Sequence, residues 1–532
     1  MNLIRFCAVT ATSLVLQLTT SSADLVTYDW RVTAITAAFD GVTVATIGIN
    51  DKSADQAVID VDLGQEVEVR VTNQLEVPTC LHWHGLKQLG TQEMDGTSGI
   101  TQCHIDPNGT AVYRFTPDKA GTFWWHSHHS TQYAYGLRGP LIVRTPANAR
   151  QSWEKDIAEE FTVQLADQYH DAPVGAPIWD KFRFEAGNKY LLRLINMAAL
   201  SPIVFSIDGH EFQVVAADSE PLEPSETINS LTINAGQRYD IVVQAKDPGS
   251  YQNQGQIGSF WMRATGLYGI PWTGGTAEMA GEGFNYEGLA VVYYEADNGS
   301  EPTSEQWTNV TTVGEFDFKP LVSTVLPTTA SDRIILEFAI RLGLGYFSID
   351  GSDYNNFVVP DEPPLFTIAA GLKAEELPTS TNARKIEYGK HIEVVLVNDM
   401  NEQHPFHLHT HSPWVVGSGT ASVDEIRNNT LPELKLEGAM PRDVYTVPPC
   451  TYNESGVCSD VGYLVLRFTA DNPGVWIFHC HIDWHLDAGL AMVFVEGEEQ
   501  LQEKGVNAFS NSMLSVCGSM AFTNSSANAT TS

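Results

Sequence analysis

Alternation of apolar and polar side chains recurs along this chain and predicts strands rather than helices. Gly64-Gln-Glu-Val67-Glu-Val69-Arg-Val71 sets a valine at every second position after a glycine, so one face of the segment is apolar. Gly236-Gln-Arg-Tyr239-Asp-Ile241-Val-Val243 and Gly389-Lys-His-Ile392-Glu-Val394-Val-Leu396 repeat that form, and three copies imply three related β domains. A second motif recurs in Gly121-Thr-Phe-Trp-Trp-His126-Ser-His128, Gly258-Ser-Phe-Trp-Met-Arg263-Ala-Thr265 and Gly474-Val-Trp-Ile-Phe-His479-Cys-His481. Five and seven residues after the glycine, the first and third copies carry histidine and the middle copy carries Arg263 and Thr265. The reading is an all-β chain with little helix, made of three β-barrel domains.

Length agrees, because 532 residues exceed what one hydrophobic core supports. Residues 1–23, with Arg5, an apolar run from Phe6 to Leu18 and small residues Ser21-Ser22-Ala23, have the pattern of a cleaved signal peptide. The expected domains are 24–146, 147–297 and 331–517, with a polar linker at 298–330 and a polar tail at 518–532. No later segment approaches about 20 uninterrupted apolar residues, so no membrane span is expected. Sequons at Asn108, Asn298, Asn309, Asn428, Asn453, Asn524 and Asn528 fit a secreted eukaryotic glycoprotein. The net charge of -35 argues against nucleic acid and for solubility in an extracellular medium, and a monomer is expected. Of seven cysteines, Cys7 leaves with the signal. Cys450 and Cys458 are near enough to close a small loop, Cys103 could pair with Cys517, and Cys80 then stays a free, buried thiol.

Histidine spacing carries the chemistry. Asn73 is followed nine and eleven residues later by His82 and His84, and Asn398 by His407 and His409 at the same distances. Residues two apart on a strand share a face, so each H-x-H pair can grip metal from one side. With His126/His128 and His479/His481, four such pairs from the first and third domains offer eight imidazoles where those domains meet. Cys480, between two of them, points to the opposite face, where His404 and His485 complete a site of one thiolate and two imidazoles. At the corresponding positions the first domain has Thr79, Ser127 and Gln132, so this site is expected only in the third. Zinc suits histidine and cysteine too, but a closed structural zinc site leaves eight adjoining imidazoles without purpose, so copper is the expected metal. His104, His129, His170, His210, His391 and His411 show no such pairing and are read as non-ligands.

The blocks His82-Trp-His84-Gly, Trp125-His126-Ser-His128, His404-Pro-Phe-His407-Leu-His409 and His479-Cys-His481-Ile-Asp-Trp-His485-Leu resemble the four copper signatures of the multicopper oxidases, in their three-domain laccase-like branch. The resemblance spans nearly the whole mature chain and implies cupredoxin-like Greek-key barrels holding four coppers. By it, His404, Cys480 and His485 hold type 1 copper, His82 and His407 type 2, and His84, His126, His128, His409, His479 and His481 the type 3 pair. It also supports the bridge from Cys103 to Cys517. It implies a laccase, which oxidises phenols or aromatic amines by one electron each and reduces O2 to water. His485 would collect electrons and Cys480, with its neighbours His479 and His481, would pass them on. Leu490 stands where some relatives carry a weak Met ligand. Asp95 and Asp483 match acids that assist proton delivery, and Asp167 a donor-binding acid beside His485. The alternative is a ferroxidase, for which Asp167, Asp399 or Glu402 would bind Fe(II), although Met400 stands where ferroxidases tend to have Asp. A copper protein without turnover is the remote alternative, and it expects missing ligands.

Overall fold

A computed structural model of the chain describes residues 8–10, 24–170, 179–247, 258–267, 285–294, 301–452, 458–518, 520 and 522. Asn298, Asn453, Asn524 and Asn528, most of the signal segment and nearly all of the tail lie outside the described residues. Ala8–Thr10 forms a strand antiparallel to Ile157–Leu165.

Strands dominate, and they fall into three pairs of sheets built on one plan. In each unit a long first strand lies parallel to the strand that ends in a buried asparagine. These pairs are Leu25–Ala37 with Glu66–Asn73, Ile157–Leu165 with Lys189–Asn196, and Asp332–Arg341 with His391–Asn398. The facing sheet opens with a short strand parallel to the unit's last: Ile59–Asp62 with Arg138–Arg144, Lys181–Arg183 with Glu287–Tyr293, and Ala383–Ile386 with Ala491–Glu496. Parallel pairing needs a crossover connection, so these pairs mark where the chain passes between sheets. The fold is that of three cupredoxin-like barrels.

The plan corrects one repeat. The middle counterpart of Gly64 and Gly389 is Gly187, nine residues before Asn196 as those are before Asn73 and Asn398. The strand after Gly236, Arg238–Gln244, pairs antiparallel with Lys189–Asn196 and takes the place of Thr110–Phe115. Any half-buried strand behind a turn glycine gives the same alternation, so periodicity alone could not choose between them.

Alternation also separates the cores. Along Gly474–Cys480, Trp476, Phe478 and Cys480 enter the core of the third unit. Val475 and Ile477, on the other face, join a cluster with Trp83, Phe123 and Trp125 of the first unit. That face therefore meets the first unit across an apolar contact, and His479 shares it. Segment 301–330, read as a linker, crosses the second and third units: the Trp307 indole donates to the Ile207 carbonyl, and Glu315 accepts from Thr446 N at 3.0 Å. After the last strand, helix Glu498–Lys504 sends Leu501 into the core shared with the first unit. The Cys103–Cys517 disulfide closes beside it and Cys450–Cys458 closes a small loop, whereas Cys80 is buried and unpaired.

Candidate metal centre

Backbone pairing brings the H-x-H segments together two at a time. His82 lies opposite His126 on neighbouring antiparallel strands of the first unit, and His407 opposite His479 in the third. Trp83, between His82 and His84, is fully buried in the core, which turns both histidines to the outer face. The two outer faces meet, and the ligating atoms gather in groups within 4.8 Å of one another: His82, His84 and His407; His84, His126 and His481; His128, His409 and His479. A separate group, His404, Cys480 and His485, lies inside the third barrel, with the sulfur 3.7 Å from His404 Nδ1 and 3.5 Å from His485 Nδ1.

One nitrogen of six of the eight cluster rings is held by the protein. The Nδ1 atoms of His82, His126, His407 and His479 bond the carbonyls of Asp95, Ser127, Asp443 and Cys480 at 2.7–2.9 Å. His409 Nδ1 bonds Asp95 Oδ2 at 2.9 Å. The Nε2 atoms of these five rings are thereby aimed inward, and those of His409 and His479 stand 3.1 Å apart. His84 is reversed: its Nε2 lies 3.2 Å from Asp443 Oδ1 and its Nδ1 3.3 Å from His481 Nε2.

These residues fit copper ions. The Nε2 atoms of His82, His126 and His407 are buried without a hydrogen-bond partner among the described residues, an arrangement that costs free energy unless a cation takes the lone pair. Burial drives His84, His126, His128, His404, His407, His409 and His481 well below the usual imidazole pKa, and His479 and His485 to about 4. Each is neutral near pH 7, the form that ligates. Burial also pushes the Cys480 thiol up, so its thiolate requires a neighbouring cation.

The other expected residues divide. Asp95 and Asp483 are both buried beside the cluster. Burial raises the Asp95 pKa, but His82 and the hydrogen bonds from His82 and Thr97 outweigh it and hold the carboxylate charged. Asp483 lines a cavity with His126, His128, His479 and His481, and burial, then Asp487, hold its carboxyl well above the usual range. Leu490 is fully buried; its carbonyl accepts from Cys480 N at 3.2 Å, and its own N donates to His485 O at 2.9 Å.

Asp167 departs from expectation. It is 3% exposed, its Oδ1 accepts from Ala199 N, and its Oδ2 accepts from Leu200 N, Ser201 N and the Tyr169 hydroxyl. Both oxygens are committed, so it clamps the 199–201 turn instead of presenting a free acceptor to a donor. Tyr169 also accepts from the Trp484 indole at 3.1 Å, tying that clamp to the helix that bears His485. The six histidines read as non-ligands stay outside the clusters. His411 bonds His409 O and lies 3.1 Å from Glu496, His210 bonds Tyr294 and Asp208 O, His391 bonds Thr469 and His170 bonds Asp40. His104 packs against His129.

Sequence reading passed over Asp443 and Arg238. Asp443 meets His84 from 359 positions away and Arg238 reaches the cluster through Asp443, 205 positions from it, and no local spacing signals them.

Multicopper oxidase family models match residues 31–148, 123–278 and 354–500. Laccase-1 of Botryotinia fuckeliana is 32% identical over 499 residues, 88% of this chain and 81% of that one. The iron transport multicopper oxidase FET5 of Saccharomyces cerevisiae is 32% identical over 503 residues, 84% of this chain and 75% of that one. Among solved structures, Fet3p, a multicopper oxidase that functions in iron import, superposes with a TM-score of 0.78 at 25% identity, covering 94% of this chain and 96% of that one. The laccase from Botrytis aclada gives 0.74 at 27% identity, covering 94% and 92%.

Proposed function

The chain is a multicopper oxidase of the three-domain laccase type, and from that premise we propose that His404, Cys480 and His485 hold its type 1 copper. In the same reading His82 and His407 hold type 2, and the groups His84, His126, His481 and His128, His409, His479 hold the type 3 pair. In this reading the domains run over 24–146, 147–297 and 331–517, with a linker at 298–330. The observation that carries the assignment is the strand Gly474–Cys480, which puts Cys480 in one cluster and its neighbours His479 and His481 in the other.

Bound copper supplies single-electron storage, so that four phenol or aromatic amine molecules each lose one electron while O2 gains four electrons and four protons to give two waters. The protein's part is positional. His485 is the half-buried member of its group and gives donors their approach; His404 and Cys480 are sealed in the core. The backbone shared by Cys480 with His479 and His481 is a covalent path between the two sites. Asp483 holds a proton beside the cluster, and Asp95 fixes the ring of His409 while offering a charged acceptor for protons. Asp167 serves the donor side indirectly, by fixing the turn that faces His485.

Ferrous iron is the second reading, favoured by the similarity to FET5 and Fet3p. Against it, Asp167 has no free oxygen, and Met400 packs against the core of the third barrel. The test is kcat/KM for a dimethoxyphenol and for Fe(II), with O2 uptake as the common readout. A phenol preference is expected, and an Fe(II) preference overturns the choice of donor. The signal-like leader, two disulfides and exposed sequons Asn108, Asn309 and Asn428 support a secreted glycoprotein, which we take to be a monomer. Recovery from culture medium, deglycosylation and sedimentation check it.

A further inference from the structure

Among its described residues the middle barrel adds none to the metal groups, yet two of them stand against the cluster. Gly236, at φ +85°, passes so close beneath His481 that a Cβ there would lie 2.8 Å from the ring's Cγ and Cδ2. Two residues on, Arg238 is fully buried and makes contact with all three units. Its Nε donates to Thr122 O of the first, its Nη1 to Gly236 O of the second, and Nη1 and Nη2 fork onto Oδ1 and Oδ2 of Asp443 in the third at 2.5 and 2.6 Å. At the matching ladder position the first unit has exposed Thr110 and the third has Tyr463. The arginine is peculiar to the unit without metal.

Asp443, in turn, touches one ligand from each metal-bearing unit. Its carbonyl holds His407 Nδ1 at 2.7 Å, and its carboxylate meets His84 Nε2 at 3.2 Å. The two rings are stacked, 3.9 Å between centroids with planes 14° apart. A carboxylate beside one ring nitrogen keeps the proton there and leaves the other nitrogen to ligate. His84 is the cluster ring that faces the others through Nδ1, and the Asp443 oxygen accounts for the reversal.

We propose that Arg238 is a positioning residue of the cluster: through its fork on Asp443, the ligand-free middle barrel sets the nitrogen that His84 offers to copper. This rests on the ligand assignment above. A guanidinium suits the task because a planar fork holds both carboxylate oxygens in one orientation, whereas a lysine ammonium can serve them only as a point charge.

The test compares Arg238→Met, Arg238→Lys and Asp443→Asn with Arg193→Met in the full copper-loaded protein. Arg193 is a similarly buried arginine between the first two units, bonded to Thr122, Asp240 and Glu160 and to no histidine among the described residues. Copper retained after dialysis against a graded chelator, the paramagnetic resonance spectrum of the cluster copper and the blue absorption of the Cys480 site are read together. Arg238→Met and Asp443→Asn are expected to weaken retention of cluster copper about ten- to hundredfold and to alter its resonance spectrum, with the blue absorption unchanged. Arg238→Lys should fall between them and wild type, and Arg193→Met should leave both readouts alone. Should Arg238→Met fail to fold, Arg238→Lys and Asp443→Asn carry the comparison. Unaltered retention and spectra in the Arg238 and Asp443 variants, or equal changes in Arg193→Met, overturn the positioning role. A wild-type chain holding copper only at the Cys480 site overturns the ligand assignment, and the proposal with it.

Discussion

The first and third barrels place the same strands at the same positions and fill them differently. In the third, His404, Cys480 and His485 converge on a site inside the barrel. In the first, the same positions hold Thr79, Ser127 and Gln132, and these satisfy one another: Thr79 Oγ1 and Ser127 Oγ donate to Gln132 Oε1 at 2.7 and 2.8 Å, and Gln132 Nε2 donates to Pro78 O at 2.7 Å. The middle barrel gives the counterpart at the cluster face. Where the others have histidine it has Ser206, Asp208, Arg263 and Thr265, and Arg263 forks onto the fully buried Asp208 at 2.8 and 2.9 Å. The barrel itself does not need metal. A buried polar position needs a partner, and either a closed hydrogen-bond set or a metal ion meets that need.

The comparison breaks most sharply at Cys480. Cys480→Ser turns the third barrel toward the first and is expected to abolish the blue absorption and lower donor oxidation by roughly two orders of magnitude or more. Retained blue absorption would contradict the assignment.

Acid probes the same difference in the copper-free chain. Nine of the clustered histidines have folded pKa values depressed by burial, so below the unfolded value near 6.5 the unfolded chain binds protons that the native one refuses. Stability therefore rises with pH across this window and is lost as pH falls toward 4, by up to about 1.4 kcal/mol per pH unit for each such histidine. Six carboxyls with raised pKa values, Asp483, Asp443, Asp240, Asp399, Glu159 and Glu315, act in the opposite direction but are outnumbered by the nine histidines. Calorimetry of the copper-free protein should show Tm falling steeply from pH 7 to pH 5; a flat profile would contradict buried neutral imidazoles.

In the middle barrel, Arg263→Met strands the buried Asp208 carboxylate and should cost about 3 kcal/mol in chemical denaturation with copper content unchanged. Copper loss in that variant would mean that the middle barrel contributes a ligand after all. At the cluster, Asp483→Asn should slow reoxidation by O2 on the order of tenfold to a hundredfold while reduction of the Cys480 site keeps its rate, as stopped-flow traces of the two half-reactions would report. The smallest change is Leu490→Met, which offers the Cys480 site a weak fourth donor. A lower reduction potential is expected on redox titration, and an equal or higher one would contradict it.

Much of this was legible in the chain. The histidine-bearing strands announce themselves because period two and a fixed count from Asn73 and Asn398 are local properties, and the tripeptide around Cys480 states its two-sidedness outright. Even the asparagines have a local function: Asn73, Asn196 and Asn398 each accept from the backbone N two residues on and donate to two carbonyls, closing the turn that sets the following strand. Reading that function correctly would have chosen Gly187 over Gly236.

What the chain by itself determined, then, is three barrels, which histidines gather, and that Cys480 and its neighbours face two clusters. Tertiary structure alone decided which nitrogen each ring presents, that Asp167 spends both oxygens on its own fold, and that Arg238 reaches through Asp443 to His84. The physical reason is range. A strand's two faces follow from the covalent geometry of neighbouring residues, whereas a buried carboxylate or imidazole takes whichever partner the packing of three separate barrels brings within hydrogen-bond distance.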